Sequence, residues 1–224
     1  MKIKPFLLFL SVLSTVSVLE SQWVQADTVK SREITGGVLM EKGELSLDFA
    51  SRIDFGRNRI SNKDMVYYAE PQHVVLEDGA TKDVPHYVQI TDNRGSNAGW
   101  HLQVKQERQL ENPNTRYKVL TGAEIRLTEP HVVSNQSGDP SLVTPKTPPV
   151  VLIPGQTSEV MQAPEGSGGG TWQDVFGHLQ RIKIDQAEVL KNTSITLSLP
   201  GKTPKDAVTY KSRLTWTLID APKV

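Results

Sequence analysis

The side chains that could do chemistry are spread along the chain and form no recognisable motif. The five histidines, at positions 73, 86, 101, 131 and 178, show neither His-x-His nor His-Glu-x-x-His spacing, so no metal site is predicted from local sequence. Carboxylates such as Asp54, Asp64 and Glu124 stand singly, and no Gly-x-Ser-x-Gly nucleophile elbow occurs. We therefore expect a protein without catalytic activity, cofactor or bound metal.

Three loop segments carry turn-forming residues. Pro164–Gly170 contains five residues of the form Gly-Ser-Gly-Gly-Gly but lacks the Gly-Lys-Ser/Thr ending of a phosphate-binding loop, so we expect an exposed, flexible turn. Asp92–Asn97 offers oxygen ligands without the spacing or closing glutamate of a calcium loop, and we expect a hairpin turn there. Glu129–Pro149 has five prolines and is expected to be a long, exposed and mobile excursion.

Two tryptophans share a local pattern, Gly99-Trp100-His101-Leu102 and Thr215-Trp216-Thr217-Leu218. In a strand, each tryptophan would lie on the same face as the leucine two positions later. This pattern favours two strands that place their tryptophan and leucine in a common core. The alternative is that the indoles, or a groove beside them, contact sugar rings or a partner protein. Trp172 follows the glycine-rich segment without a clear alternating context, so we expect it to be the most exposed of these three tryptophans.

Alternation of apolar and polar residues, which is typical of half-buried strands, dominates the elements that must position these side chains. The last such stretch runs from Val208 to Leu218. The segment 174–190 also fits a helical face, but we interpret it as strand. Further strands are predicted at 45–49, 87–91, 100–105, 123–127, 150–153, 158–161 and 193–199. Many short strands separated by Gly, Pro, Asn and Asp predict an all-β fold, an antiparallel sandwich or barrel-like sandwich.

The composition excludes several functional classes. The chain of 224 residues has 25 basic and 25 acidic side chains and no cysteine, which argues against nucleic-acid binding, disulfides and thiolate chemistry. A local basic patch, Arg52, Arg57, Arg59 and Lys63, is expected to be a solvated loop.

The N-terminus has the features of a secretory leader. Lys2 and Lys4 precede an apolar run that is too short to span a membrane, and Val24-Gln25-Ala26 provides a small-residue cleavage site. We therefore expect a signal peptide over residues 1–26 and one secreted domain over residues 27–224, with no membrane insertion. No sorting motif or lipid-bearing cysteine is visible, so retention on the cell surface would be noncovalent.

Together these motifs resemble the WxL family of surface proteins from Gram-positive bacteria. The similarity runs through Gly43–Leu47, Ile53–Gly56 and Val88–Leu102, and continues in Leu120–Ala123, Gly169–Trp172 with Phe176-Gly177, Leu199–Gly201 and Leu214–Leu218. Both Trp-x-Leu tripeptides are present. The chain is similar to the small members that carry no additional adhesion domain.

The resemblance implies attachment to peptidoglycan or an associated wall polymer on the cell surface. The binding role would fall to Trp100, Leu102, Trp216 and Leu218, with Asn97 and Gly99 shaping the first motif and Trp172 as a further candidate. Whether these residues touch the ligand or build the fold stays open. The resemblance also implies other surface proteins as partners, including a membrane-anchored protein and a sorted surface protein. The alternative function is therefore an interaction subunit that binds such a partner or a host matrix protein.

Overall fold

The computed structural model describes residues 39–134 and 144–221, and the residues from Met40 onward form one compact unit. The expected signal peptide lies outside the described residues. Among the described residues there is no helix, and thus none that could cross a membrane. The strands are β1 Leu45–Ala50, β2 Met65–Ala69, β3 Gln72–Val75, β4 Thr81–Val84, β5 His86–Asp92, β6 Trp100–Gln106, β7 Glu124–Leu127, β8 Pro130–Ser134, β9 Val150–Leu152, β10 Thr157–Ala163, β11 Gly170–Phe176, β12 Leu179–Ile184, β13 Ala187–Leu199 and β14 Leu214–Ile219.

The strands form three larger sheets and one separate hairpin. The first sheet has the order β1-β5-β11-β8, the second β10-β6-β14, and the third β12-β13-β7-β9 with β2 also paired to β13. The hairpin consists of β3 and β4. Every pair of these strands is antiparallel. The prediction of an all-β antiparallel sandwich is therefore confirmed, and the described strands do not close into a barrel.

One hydrophobic core joins the three larger sheets. In β5 and β6 every second residue is buried, as strand periodicity requires when one face of a sheet covers a core. Val88 and Ile90 of β5, Trp100 and Leu102 of β6 and Ile195 of β13 have no exposed surface. Each sheet thus contributes one apolar face to the same interior.

Several predicted elements differ from those in the structure. Asp92–Asn97 is not a hairpin turn, because β5 and β6 belong to different sheets and the segment crosses between them. The last strand begins at Leu214, although Lys211 forms an isolated bridge with Glu111. The segment 174–190 is extended, as predicted: it contains the end of β11, all of β12 and the start of β13, with a tight turn at Asp185 and Gln186.

The two segments expected to be exposed loops are largely held in the fold. Glu129–Pro149 contains β8, and Lys146 exchanges two backbone hydrogen bonds with Gln162, at 2.8 and 2.9 Å. Residues 135–143 lie outside the described residues. In the glycine-rich segment, Ser167 and Gly168 are buried and Gly170 begins β11. The expected exposure is wrong for Ser167 and Gly168, and it is confirmed for residues 164–166, 148 and 149.

Candidate functional site

Trp100 and Leu102 lie side by side on the core face of β6, and neither has exposed surface. The indole N–H of Trp100 donates a hydrogen bond of 3.0 Å to the carbonyl oxygen of Gly168. A buried indole needs such an acceptor, because an unpaired polar group in the core is costly. The first Trp-x-Leu motif therefore contributes to the core of the domain.

The glycine-rich segment covers both buried tryptophans. We call Gly166–Gly170 the glycine cap: its Gly168 carbonyl accepts from Trp100, and its Gly169 carbonyl accepts from the indole N–H of Trp172 at 2.9 Å. Trp172 is only 3% exposed. The prediction that Trp172 is the most exposed of the three tryptophans is therefore wrong, because the glycine cap covers its indole ring.

Asn97 and Gly99 hold the segment before β6 against the glycine cap. Asn97 has a positive φ of 49°, and its carbonyl accepts a 2.7 Å hydrogen bond from the Gly166 amide. Gly99 has a φ of 77°, and a Cβ atom there would lie 2.7 Å from the carbonyl oxygen of Ala163. Both residues shape the backbone around the first motif, and Gly99 is itself buried.

Trp216 and Leu218 occupy a different environment. They lie on one face of β14 opposite Val104 and Leu102 of β6, so the two Trp-x-Leu motifs are on adjacent strands of one sheet. Both side chains pack against the core but remain half-buried. The Trp216 indole N–H donates no hydrogen bond to any of the described residues. β14 is also the edge strand of its sheet, so Trp216 is the tryptophan of the three that a ligand can reach.

A shallow cavity of about 370 Å³ lies between the start of β1 and the end of β14. Leu45, Leu47 and Leu218 provide its apolar lining, and Arg94 and Asp220 provide charges. We call this cavity the edge cleft. It brings the second Trp-x-Leu motif beside β1, the edge strand of the first sheet.

Arg94 is the central polar residue at this end of the molecule. Its side chain is only 4% exposed and contacts Asp92 through Nε at 2.9 Å and through a terminal nitrogen at 2.8 Å. The other terminal nitrogen binds Asp220, just after β14, and a further hydrogen bond of 3.0 Å reaches the Gly99 carbonyl. Hydrogen bonds from Arg94 hold the pKa of Asp92 below its usual range, against the opposing effect of burial. The sequence did not predict the ion pair between Arg94 and Asp220, because Asp220 lies far from Arg94 along the chain.

A second, larger cavity of about 870 Å³ lies where β6 ends and β14 begins. We call it the polar groove; residues 107–109, 111–113, 209, 211–213 and 215 line it. Its lining side chains are mainly charged or hydrogen-bonding, and none of them is aromatic. The alternation of Lys211, Arg213 and Thr215 is visible in the sequence, whereas the groove that these residues face is not.

Two titratable groups, His86 and Asp174, are buried in the domain. Burial lowers the pKa of His86 to about 4, although a hydrogen bond to the Arg52 carbonyl opposes the shift. Burial raises the pKa of Asp174 to about 7, partly offset by a 2.5 Å hydrogen bond from the Thr147 hydroxyl. The ring of His86 faces the side-chain amide of Asn192, which donates a hydrogen bond to the Phe176 carbonyl. Within residues 39–134 and 144–221, no three histidine, aspartate or glutamate side chains are placed to hold a metal ion.

Comparison with known proteins gives one finding. A family model described as "WxL domain surface cell wall-binding" matches residues 28–222, nearly the whole chain. Neither the curated proteins nor the solved structures include a match.

Proposed function

Because the chain belongs to the WxL domain family of surface cell wall-binding proteins, we propose that it is a secreted, non-catalytic protein that attaches noncovalently to the peptidoglycan of a Gram-positive cell wall. The single observation that carries this proposal is the family match over residues 28–222. The family binds the cell wall at the cell surface; peptidoglycan as the ligand, secretion and the lack of catalysis are our proposal.

The environments of the tryptophans assign different roles to the two Trp-x-Leu motifs. Trp100, Leu102 and Trp172 are buried and hydrogen-bonded within the domain, and Asn97 and Gly99 fix the backbone around them. These five residues would build the binding domain without touching the ligand. Trp216 and Leu218 are half-buried on an edge strand, and Leu218 lines the edge cleft, so we assign ligand contact to them. A flat indole face whose N–H has no acceptor among the described residues suits the mixed apolar and polar surface of a sugar ring.

The proposal is tested by sedimentation of the purified domain with peptidoglycan sacculi, comparing Trp216→Ala with wild type. Leu214→Ala is the matched control, because Leu214 lies on the same face of the same strand and is also half-buried. We expect Trp216→Ala to lose roughly tenfold in affinity, as for removal of an aromatic anchor, while Leu214→Ala binds like wild type.

Folding of each variant is checked by circular dichroism and urea unfolding. Equal losses in both variants would mean that β14 acts through the fold. Absence of wild-type protein from the sacculus pellet would contradict wall binding by this chain. A fall in turbidity of the wall suspension would contradict the non-catalytic role.

The second candidate function is an interaction subunit that binds a membrane-anchored surface protein, a sorted surface protein or a host matrix protein. Within the part of the chain that the structure describes, β1 and β14 are edge strands of their sheets, and this favours the second function because an exposed edge strand can pair with a strand of a partner. Calorimetric titration with the ectodomain of a membrane-anchored partner tests this function. No binding at micromolar concentration, together with sedimentation on protein-free sacculi, would reject it.

A further inference from the structure

The polar groove arises from an interruption of the ladder between β6 and β14. Regular pairing joins Gln106 to Leu214, and pairing resumes where Glu111 and Lys211 exchange backbone hydrogen bonds of 2.8 and 3.0 Å. Glu107 still donates a backbone hydrogen bond of 2.9 Å to the Arg213 carbonyl, so three residues on one chain, 108–110, face only Ser212 on the other. The excess residues have no partners in this ladder, so the longer chain forms a bulge. Leu110 at the end of the bulge is buried, and its carbonyl accepts a hydrogen bond from Leu120. A hydrogen bond of 2.6 Å from the Ser212 hydroxyl to the Arg108 carbonyl fixes this bulge.

The two carboxylates that line the groove already have cations beside them. Glu107 lies 3.1 Å from the Lys105 ammonium, and Glu111 lies 3.6 Å from the Arg108 guanidinium. Hydrogen bonds from Thr215 and Lys105 hold the pKa of Glu107 below its ordinary value. Each of the two carboxylates therefore already has a neighbouring cation.

Lys211 and Arg213 are the groove cations that form no close ion pair with a carboxylate of the described residues. Both are exposed and line the groove together with Ser212, the half-buried residue between them. Among the described residues, no carboxylate oxygen lies within salt-bridge distance, 4.0 Å, of either side chain. Alternate residues of an extended chain project to the same side, about 7 Å apart. The charge of Arg213 also acts on Glu107, which lies beyond ion-pair distance. The groove thus presents two adjacent cations that are in close contact with no carboxylate of the described residues, on a backbone that its own hydrogen bonds hold in place.

We propose that the polar groove binds an anionic group of the wall polymer through Lys211 and Arg213. This inference rests on the proposed function for the identity of the polymer. The group is a carboxylate of the peptide stems or a phosphate of an associated polymer, since both present the negatively charged oxygens that ammonium and guanidinium groups bind. The site is separate from Trp216, whose side chain lies on the opposite face of β14 from Thr215.

The test compares the double variant Lys211→Gln/Arg213→Gln with wild type in sedimentation assays. The matched control is Arg57→Gln/Arg59→Gln, which removes the same charge from two exposed arginines outside the groove. Each protein is mixed with intact walls and with walls from which phosphate polymers have been extracted. We expect the groove variant to lose roughly tenfold in affinity and most of its salt dependence, whereas the control behaves like wild type.

The two wall preparations identify the source of the anion. Loss of the groove-dependent binding after extraction assigns a phosphate, and its retention assigns a peptide carboxylate. Wild-type affinity in the groove variant on both preparations would overturn the inference while leaving wall binding intact. Since glutamine keeps the backbone pairing of both positions, urea unfolding is expected to be unchanged.

A second measurement separates this inference from the proposed function. Amide NMR spectra of the wild-type domain are recorded with inorganic phosphate and with muramyl dipeptide, a soluble carboxylate-bearing wall fragment. Shifts confined to residues 107–113 and 209–215, and absent in the groove variant, support the groove even if wild type does not sediment with walls. No shift with either probe, together with no sedimentation, would overturn both proposals.

Discussion

At the scale of single residues, the tryptophans differ in what their indole N–H groups bind. Trp100 and Trp172 donate to successive carbonyls of the glycine cap, whereas Trp216 has no acceptor among the described residues. The apolar alternation of the sequence correctly predicted that Trp100 would be buried. It could not predict the burial of Trp172, because the covering group is a backbone carbonyl and glycines leave no hydrophobic pattern.

A substitution in the glycine cap tests this covering role. Gly168 has a φ of 86°, and a Cβ atom there would lie 2.5 Å from the Trp100 indole nitrogen. Gly166→Ala is the control, since Gly166 has a similar φ of 82° but open space around its Cβ position. We expect Gly168→Ala to lower the free energy of unfolding by about 2 kcal/mol more than Gly166→Ala, from overpacking. Urea unfolding measures this difference; equal losses would show that only backbone strain matters.

Two buried groups impose opposite pH dependences on stability. The pKa of His86 falls from 6.5 to about 4 on folding, so its contribution to stability is lost as pH decreases through this window. The pKa of Asp174 rises from 3.8 to about 7, so its contribution is lost as pH increases through that window. Between about pH 4 and 6.5 the two slopes oppose each other.

Single variants separate these slopes. We expect Asp174→Asn to gain stability relative to wild type as pH rises from 4 to 6.5, and His86→Gln to lose stability relative to wild type over the same range. Each relative slope reaches up to about 1.4 kcal/mol per pH unit. Urea unfolding at half-unit pH intervals measures it. Curves parallel to wild type would show that neither group titrates in the folded protein as its burial requires.

At the scale of elements, periodicity predicted strands but not their partners. The alternation in β5 and β6 identified both strands and their buried faces. Their connection was mistaken for a hairpin, because local sequence does not encode which sheet a strand joins. The last strand was predicted too long, since Val208 to Arg213 keeps the alternation but pairs with the opposite chain only at isolated positions.

Arg94 connects the β5–β6 crossing to the end of β14, and its two partners differ in burial. Asp92 has a 1% exposed side chain, whereas that of Asp220 is 64% exposed. We expect Arg94→Met to cost about 3–5 kcal/mol of unfolding free energy, because the Asp92 charge is left buried without its partner. Asp220→Asn should cost less than about 1 kcal/mol, as for exposed pairs. Urea unfolding of both variants checks this; similar costs would contradict the assigned difference in burial.

At the scale of the whole molecule, composition and alternation were sufficient for the fold class. They could not locate the polar groove or the edge cleft, because each is lined by segments that are distant in sequence. The cleft brings Lys42 to Leu47 beside Leu218 and Asp220, and the groove brings Glu107 to Pro113 beside Thr209 to Thr215. Only the pairing of β14 with β6 makes the groove possible.

The sheets are expected to differ in local stability. Among the described strands, β3 and β4 pair only with each other, and Val75 is 74% exposed. A two-stranded hairpin is only marginally stable when no further strand pairs with it. We expect its amides to exchange with solvent at least 100-fold faster than those of β6, which is paired on both sides. Hydrogen-exchange mass spectrometry measures this, and equal protection would mean that the hairpin opens only with the whole domain.

The position of Arg94 also has a mechanical consequence. β14 is an edge strand near the end of the chain, so tension applied beyond Asp220 would peel it from β6 starting at Ile219. The ionic contact of Asp220 with Arg94 and the 2.8 Å hydrogen bond between His101 and the Ala221 carbonyl lie at this starting point. They would bear the load before the strand ladder does. On a surface exposed to flow, this corner would therefore set the force at which the domain begins to open.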